Sequence, residues 1–321
     1  MTKPLVTVCV ITYNHARYVR QAMDSFLMQQ TDFPYEIFVH DDASTDETQT
    51  ILREYQEKYP DRIRLLLQEE NQYSKNDKIM ARFMFPVIDT EYIAFCEGDD
   101  FWTDPKKLQK QIGWLMEHEE YSLSVTSADT VNADGVKNGE IAPYKADCDM
   151  PMEDLIRGGG GFIVSASIAT RMAYLKNLPE YYYRAKVGDA PLQLHLASQG
   201  KTRWHADRTC AYRVNAAGSW TMAQILDDVS KPIAMHESML DMLAGFDEAT
   251  EGCYAEALLR AQNYHRFQIA RLKGDFRTMR RPEHAVLYGS LTWRVKLRTV
   301  MMKYCPFVIR LYRNIRFRHG C

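Results

Sequence analysis

Three clusters of polar and acidic residues in this chain have types and spacing that could do chemistry: Thr12-Tyr13-Asn14, Asp41-Asp42 and Glu97-Gly98-Asp99-Asp100. Adjacent carboxylates repel one another and are costly at a fixed position unless a cation sits with them. Asp99 and Asp100 follow the apolar run Tyr92 to Cys96, so a buried strand would hold them rigidly at its mouth. A hard divalent cation answers that repulsion; Mg²⁺ or Mn²⁺ typically takes one or two carboxylates together with phosphate oxygens. The plainer alternative is an Asp-Asp turn at a strand exit. Asp41-Asp42 reads either as acceptors for a nucleobase or ribose, or as part of a helix cap with Ser44-Thr45-Asp46. Asp189, in Val187-Gly188-Asp189-Ala190-Pro191, stands at a helix start, where a simple cap would also stand. The run Gly158 to Gly161 lacks GxGxxG or Walker spacing and reads as a flexible turn rather than a phosphate nest. His195 and His205 are isolated and read as core or surface histidines. Ser165 and Ser167 lack the GxSxG context of a hydrolase nucleophile.

Elements must place these clusters. Leu5 to Thr12 is β-branched and apolar, as a buried parallel strand should be. A helix follows from about Ala16 to Gln30, with Tyr18, Val19, Ala22, Met23, Phe26 and Leu27 at helical spacing. Tyr35 to His40 is a second strand, and Ser44-x-x-Glu47 is a capping box for the next helix. Ile63 to Leu67 and Tyr92 to Cys96 read as further strands, with a helix from Asn76 to about Phe85 ended by Pro86. Asp104-Pro105 starts another helix. Strands alternating with helices predict an open, mostly parallel sheet with right-handed crossovers. Ligands bind such sheets beyond the carboxyl ends of the strands, where all three clusters lie. Beyond this, Leu123 to Ser127 reads as a strand and Ala133 to Met150 as a polar loop. Val187 to Ser198 opens a helix, residues 209 to 214 form a last strand, and helices run over about 226 to 245 and 252 to 274.

The chain has 321 residues, 46% hydrophobic and 26% charged, with a formal net charge of −2. That composition excludes a disordered chain, a collagen and a coiled-coil rod. No stretch approaches the roughly 18 apolar residues of a spanning helix, and Met1 to Pro4 runs into a strand with no signal-peptide core. Seven cysteines without a CxxC pair read as reduced cytosolic thiols rather than a disulfide framework or a zinc site. Eight Lys and Arg and no Asp or Glu lie between Thr292 and Cys321. A nucleic-acid-binding protein would carry its positive charge on the folded domain, so no nucleic-acid partner is expected. The basic residues alternate with Trp293, Leu297, Val300, Phe307, Leu311 and other apolar side chains, and Pro306 divides the segment into two short helices. Basic amphipathic stretches bind anionic membrane surfaces; the alternative is a helix packed on the domain with its charged face in water.

The segments VTVCVITYN, FVHDDASTDET, EYIAFCEGDDFWTDPKKLQKQ, VGDAPLQLHLASQGK and YRVNAAGSW, in this order and spacing, resemble the bacterial family 2 glycosyltransferases over about residues 4 to 221. The resemblance implies an α/β GT-A fold, a mostly parallel open sheet flanked by helices, here with a C-terminal helical extension. It also implies a nucleotide-diphosphate sugar donor with UDP favoured, Mn²⁺ or Mg²⁺, and inversion at the anomeric carbon. By motif, Thr12 and Tyr13, with Asn14 completing the TYN triplet, resemble residues lining the nucleoside pocket. Asp42 resembles the carboxylate contacting the base, with Asp41 beside it. Asp99 resembles the residue near the ribose and donor, Asp100 the metal ligand on the diphosphate, and Asp189 the catalytic base. Arg213 lies in a segment that closes over donor phosphates in relatives. Two departures stand out: Asn215 replaces a His of many relatives, with Ala217-Gly218 for Gly-Gly, and Ala190 replaces an aromatic beside the base, which implies a different acceptor pocket.

The expected organisation is a glycosyltransferase domain over 1–222, a helical extension over 223–290 and a basic amphipathic tail over 291–321. The acceptor expected is a saccharide, lipid-linked as in many relatives. The site expected is cytoplasmic, on the inner face of the cell membrane, in bacterial surface-polysaccharide synthesis. A nucleotidyltransferase would want a glycine-rich basic phosphate loop after the first strand, and Thr12 to Arg20 supplies none. A non-catalytic nucleotide-sugar-binding scaffold is the remaining alternative.

Overall fold

The computed structural model describes residues 3–75, 78–214 and 229–304. Contacts divide the chain into two compact units, Met1–Ala223 and Gln224–Cys321.

In the first unit β1 (Val6–Thr12) is buried at every position but Ile11, as its β-branched run requires. Helix α1 (Val19–Leu27) buries Val19, Ala22, Met23 and Phe26, one face at 3.6-residue spacing. Strand β2 (Tyr35–Asp41), helix α2 (Thr48–Lys58) and strand β3 (Ile63–Leu67) extend the sheet on one side of β1, all parallel. Strand β4 (Tyr92–Glu97) pairs parallel with β1 on its other side. The chain continues through β5 (Phe101–Trp102), α3 (Lys107–Glu117), β6 (Tyr121–Val131), β7 (Lys137–Ile141), β8 (Cys148–Asp149), α4 (Met152–Gly158), β9 (Ala169–Arg171), α5 (Glu180–Arg184), α6 (Asp189–Ser198) and β10 (Lys201–Arg213). The order across the sheet is β3-β2-β1-β4-β9-β6-β10-β5, with β7 on β6 and β8 on β10. Strand β9 is antiparallel to β4 and β6, whereas β6 and β10 are parallel. The core under the site includes Phe26, edge-on to Trp102 at 5.0 Å, and the Trp102 indole N–H donates to the Ala166 carbonyl at 3.0 Å. Both aromatics are fully covered, which fixes the strand that follows the Asp99-Asp100 turn.

Several sequence expectations change. The polar stretch 133–150 contains strands β7 and β8 rather than being a loop throughout. The long edge of β6 supplies the partner for β7, and the hairpin turn is closed by Asn132, whose side-chain oxygen accepts from the Asp134 and Val136 amides. Of the helix expected over 76–85, residues 76–77 lie outside the described residues; Met80–Met84 is a π-helical turn and Phe85–Val87 a 3₁₀ turn. Pro86 lacks the N–H that a continued α-helix needs. The strand expected over 209–214 begins at Lys201.

The second unit is helical: α7 (Ser230–Ala249), α8 (Ala255–Lys273), α9 (Phe276–Met279), α10 (Ala285–Ser290) and α11 (Trp293–Tyr304). Phe267, Ala270 and Met279 form its small core. Among the described residues no helix is long and apolar enough to cross a membrane.

Candidate active site

The strand register brings the three clusters to one edge. Thr12 pairs with Asp41 across β1 and β2, and Ile11 pairs with Glu97 across β1 and β4. Two further amides extend the ladder: Asp42 N–H donates to Thr12 O at 3.0 Å, and Gly98 N–H to Ile11 O at 2.9 Å. Asp42 and Asp100 therefore share the carboxyl edge of the sheet, on strands two spacings or about 10 Å apart.

The Asp41-Asp42 pair is enclosed by its own chain. Asp41 accepts from the Ser44 amide at 2.9 Å, from the Ser44 hydroxyl and from the Gln49 side chain at 2.7 Å. Asp42 accepts from the Gln72 amide at 2.7 Å and the Tyr73 amide at 3.0 Å, one on each oxygen. Asn14 adopts a left-handed φ of 56° and stitches the loops after β1 and β2 together. Its amide donates to Ser44 Oγ at 2.8 Å and its side-chain oxygen accepts from the Thr45 amide at 2.7 Å. Thr12 is buried with its hydroxyl unpartnered, while Tyr13 is 43% exposed. Thr12, Tyr13, Asn14, Asp41 and Asp42 thus form one rim.

The Asp99-Asp100 pair differs. Burial, then Asp99 and Glu97, push the Asp100 carboxyl well up, while the Arg213 amide and guanidinium pull it down. Glu97 is also raised, by burial and by Asp99 and Asp189. Arg213 is buried and tied throughout: its amide donates to Asp100 Oδ1 at 2.7 Å, Nε to Asp99 O at 2.8 Å, Nη1 to Asn132 O and Ala133 O at 3.1 Å, and Nη2 to Gln21 Oε1 at 2.9 Å. Its guanidinium also stacks 4.4 Å from the Tyr18 ring. In this arrangement Arg213 organises the Asp99-Asp100 turn from behind. His15 approaches Asp99 from the front, Nε2 to Oδ2 at 3.8 Å.

Asp189 joins this mouth from α6, of which it is the first residue. Its charge bears on Glu97. The Tyr212 phenol is raised to about 12 by burial and then by Glu97, Asp100, Asp99 and Asp189, so the charge of all four carboxylates bears on one side chain of β10. The glycine run is where backbone meets the candidate base: a Cβ on Gly160 would stand 2.7 Å from Asp189 Oδ2. Sequence reasoning missed this role for Gly160, and it missed His15 and Tyr212. His15 adjoins the TYN triplet, and Tyr212 is next to Arg213; both were within reach of the motif reading. His195 and His205 are buried; His195 Nε2 bonds Tyr174 O at 2.8 Å and His205 Nε2 lies 3.1 Å from Ser124 Oγ.

Among the described residues no three His, Cys, Asp or Glu side chains form a ready metal cage. The donor set nonetheless fits an ion that takes one or two protein oxygens and completes its shell from a diphosphate. Glu97, Asp99 and Asp100 are crowded carboxylates, and Arg213 is the cation bonded at that turn. Asn215 and Ala217-Gly218 lie outside the described residues.

A sheet of this order with a carboxylate pair at the end of the fourth strand defines the class as a GT-A glycosyltransferase fold. Staphylococcus aureus TarS 1-349 in complex with UDP-GlcNAc superimposes with a TM-score of 0.61 at 18% identity, covering 88% of this chain and 78% of that one. The mannosyltransferase PcManGT from Pyrobaculum calidifontis, in complex with GDP-Man and Mn²⁺, gives 0.55 at 18% identity over 95% of this chain and 85% of that one. The family model for glycosyl transferase family 2 matches residues 7–177, and the chain belongs to that family. Protein Rv1520 of Mycobacterium tuberculosis is 33% identical over 223 residues, 68% of this chain and 61% of that protein. The chain thus spans about three-fifths of the length of the first curated relatives it matches. The Escherichia coli UDP-Glc:alpha-D-GlcNAc-diphosphoundecaprenol beta-1,3-glucosyltransferase WfgD is 28% identical over 141 residues, 44% of this chain and 52% of that protein.

Proposed function

We propose that this chain is an inverting, metal-dependent glycosyltransferase that moves a sugar from a nucleotide-diphosphate donor, a UDP-sugar by preference, to a saccharide acceptor. The observation that carries the reading is the strand register, which sets Thr12 beside Asp41 and Ile11 beside Glu97 and so brings the Asp41-Asp42 and Asp99-Asp100 turns to one carboxyl edge of the sheet. The nucleoside lies along the rim made by Thr12, Tyr13, Asn14, Asp41 and Asp42, with Asp99 towards the ribose. Asp42 and Asp41 already hold backbone and side-chain donors, so they present a rigid, pre-set edge to the base. Asp100 is the residue to hold Mn²⁺ or Mg²⁺, and Arg213 sets its position. When bound, the ion neutralises charge developing on the departing diphosphate. Asp189 accepts the proton of the acceptor hydroxyl as that oxygen bonds to the anomeric carbon. The bond to the diphosphate breaks on the opposite face, and its electron pair leaves with the nucleotide, which inverts the centre.

A lipid-linked saccharide acceptor, in bacterial surface-polysaccharide synthesis at the inner face of the membrane, is supported by two things. One is the printed name of WfgD, which specifies a diphosphoundecaprenol-linked acceptor for that relative. The other is helix α11, where Trp293, Leu297, Val300 and Tyr304 are exposed beside Arg294 and Lys296. The rest of the basic tail, 305–321, lies outside the described residues. A chain ending near Tyr288 is expected to lose binding to anionic liposomes and keep donor binding; equal liposome binding by both chains rejects the membrane part.

The central test is a thermal-shift and turnover panel of UDP-, GDP- and dTDP-sugars with and without Mn²⁺. Stabilisation by one nucleotide only, and only with metal, is the expected result. In Asp189→Asn, turnover should fall about 10²- to 10⁴-fold, with donor affinity little changed. A non-catalytic scaffold would show binding and no turnover in either protein.

A further inference from the structure

Lys78 is a cation that the mechanism above does not use. It precedes the π-helical turn, and its Nζ donates to two backbone carbonyls far along the chain, Ala185 O at 2.5 Å and Val187 O at 2.7 Å. It also lies 5.2 Å from the centroid of the Tyr182 ring on α5. Both carbonyls belong to the stretch joining α5 to α6, and Asp189 is the second residue after Val187. An ammonium donating to the carbonyls of two residues two positions apart fixes the backbone between them more firmly than either bond alone. The next residue, Gly188, has no Cβ to restrict it, so an anchor just before it matters to where α6 begins. Burial draws the Lys78 ammonium down to about 8, and the Asp189 carboxylate opposes that.

We propose that Lys78 is a positioning residue for Asp189: it clamps Ala185 and Val187 so that the first turn of α6 presents the carboxylate to the mouth. The inference rests on Asp189 being the base. Asp189 is met by Gly160 from the glycine turn and accepts from the Ala190 amide at 2.8 Å, and its charge bears on Glu97 and Tyr212. Lys78 acts on the segment leading into Asp189. A displacement of about an ångström at a catalytic group costs on the order of 10²-fold in rate.

The test compares full-length wild type, Lys78→Met, Lys78→Arg and Asp189→Asn by hydrogen–deuterium exchange and by release of UDP from UDP-glucose and UDP-GlcNAc with Mn²⁺. In Lys78→Met, amides of residues 185–190 should exchange about tenfold faster, with β1 and β4 unchanged, while Lys78→Arg restores protection. Turnover in Lys78→Met should fall about 10- to 100-fold, at a donor KM within about twofold of wild type, and recover in Lys78→Arg. Unchanged exchange over 185–190 in Lys78→Met overturns the clamp whether or not either sugar nucleotide turns over. Local loosening with full turnover overturns the positioning role. Full turnover in Asp189→Asn overturns the assignment of the base instead, which separates the two failures.

Discussion

The chain carries two Asp-Asp pairs at the carboxyl ends of parallel strands two apart in one sheet, and their surroundings differ. Asp41 and Asp42 are surrounded by donors: Ser44, Gln49 and the amides of Gln72 and Tyr73 occupy their oxygens. Asp99 and Asp100 have fewer donors: the Arg213 amide reaches Asp100 Oδ1 and His15 stands 3.8 Å from Asp99 Oδ2. Glu97 and Asp189 crowd the same mouth, and Asp100 has the backbone and side chain of Arg213 against it. The first pair ties loops together; the second is crowded by other carboxylates, the repulsion that the proposed divalent cation would relieve. Identical dipeptides at equivalent strand ends thus diverge through what the neighbouring loops supply. Burial beside other carboxylates disfavours the charged form of a carboxyl group, and a nearby cation favours it.

Substitutions at each pair should break the comparison in different observables. The largest effect is expected at the second pair. Asp100→Asn keeps an acceptor for the Arg213 amide but removes the charge, and Mn²⁺-dependent turnover should fall by about two orders of magnitude or more. Its apo melting temperature should hold or rise; a marked fall in apo stability would place Asp100 with the scaffold pair. At the first pair, Asp42→Ala leaves the Gln72 and Tyr73 amides without their acceptor. A loss of about 2–3 kcal/mol in urea unfolding is expected, and unfolding indistinguishable from wild type would show that the loop is held otherwise. Gly98 lies between the pairs. Its alanine variant would put a Cβ 2.7 Å from Thr12 Oγ1 and 2.8 Å from Thr12 Cβ, pushing the end of β4 away from β1. About 1–3 kcal/mol of destabilisation follows, measurable in the same unfolding experiment.

The smallest effect has a definite sign. Burial, Asp99 and Asp189 raise Glu97 to about 8, against the Ser165 hydrogen bond. The folded chain then holds a proton that the unfolded chain releases above the ordinary carboxylate range. Stability from this group is present at low pH and declines as pH rises towards 8. Glu97→Gln removes that decline, so its advantage in unfolding free energy over wild type should grow from pH 5 to pH 8, reaching about 1–2 kcal/mol in urea unfolding. An advantage independent of pH would mean that Glu97 is not crowded as described.

Much of this was legible before any coordinates. The β-branched run of β1, the apolar spacing of α1 and the polar residues closing each strand are local signals, read within a window of ten residues. The rim of Thr12, Asn14, Asp41 and Asp42 follows from them once parallel pairing is assumed, and the register places it there. Strand β7 was not legible, because Lys137-Asn138-Gly139-Glu140-Ile141 has no β-branched alternation beyond its last residue; its partner edge makes it a strand. The behaviour of Arg213 was not legible either. Its donors reach Gln21, Asp99, Asn132 and Ala133, and no spacing along the chain announces such a set.

By itself, the order of residues determined that strands and helices alternate and that carboxylates cluster where parallel strands end, because hydrophobic periodicity and capping act over a few neighbours. Only the folded chain decided which carboxylates are satisfied and which are not, that a glycine turn lies against Asp189, and that Lys78 grips the backbone before it. Those outcomes depend on groups from about thirty to more than a hundred residues apart coming into contact, which packing alone arranges.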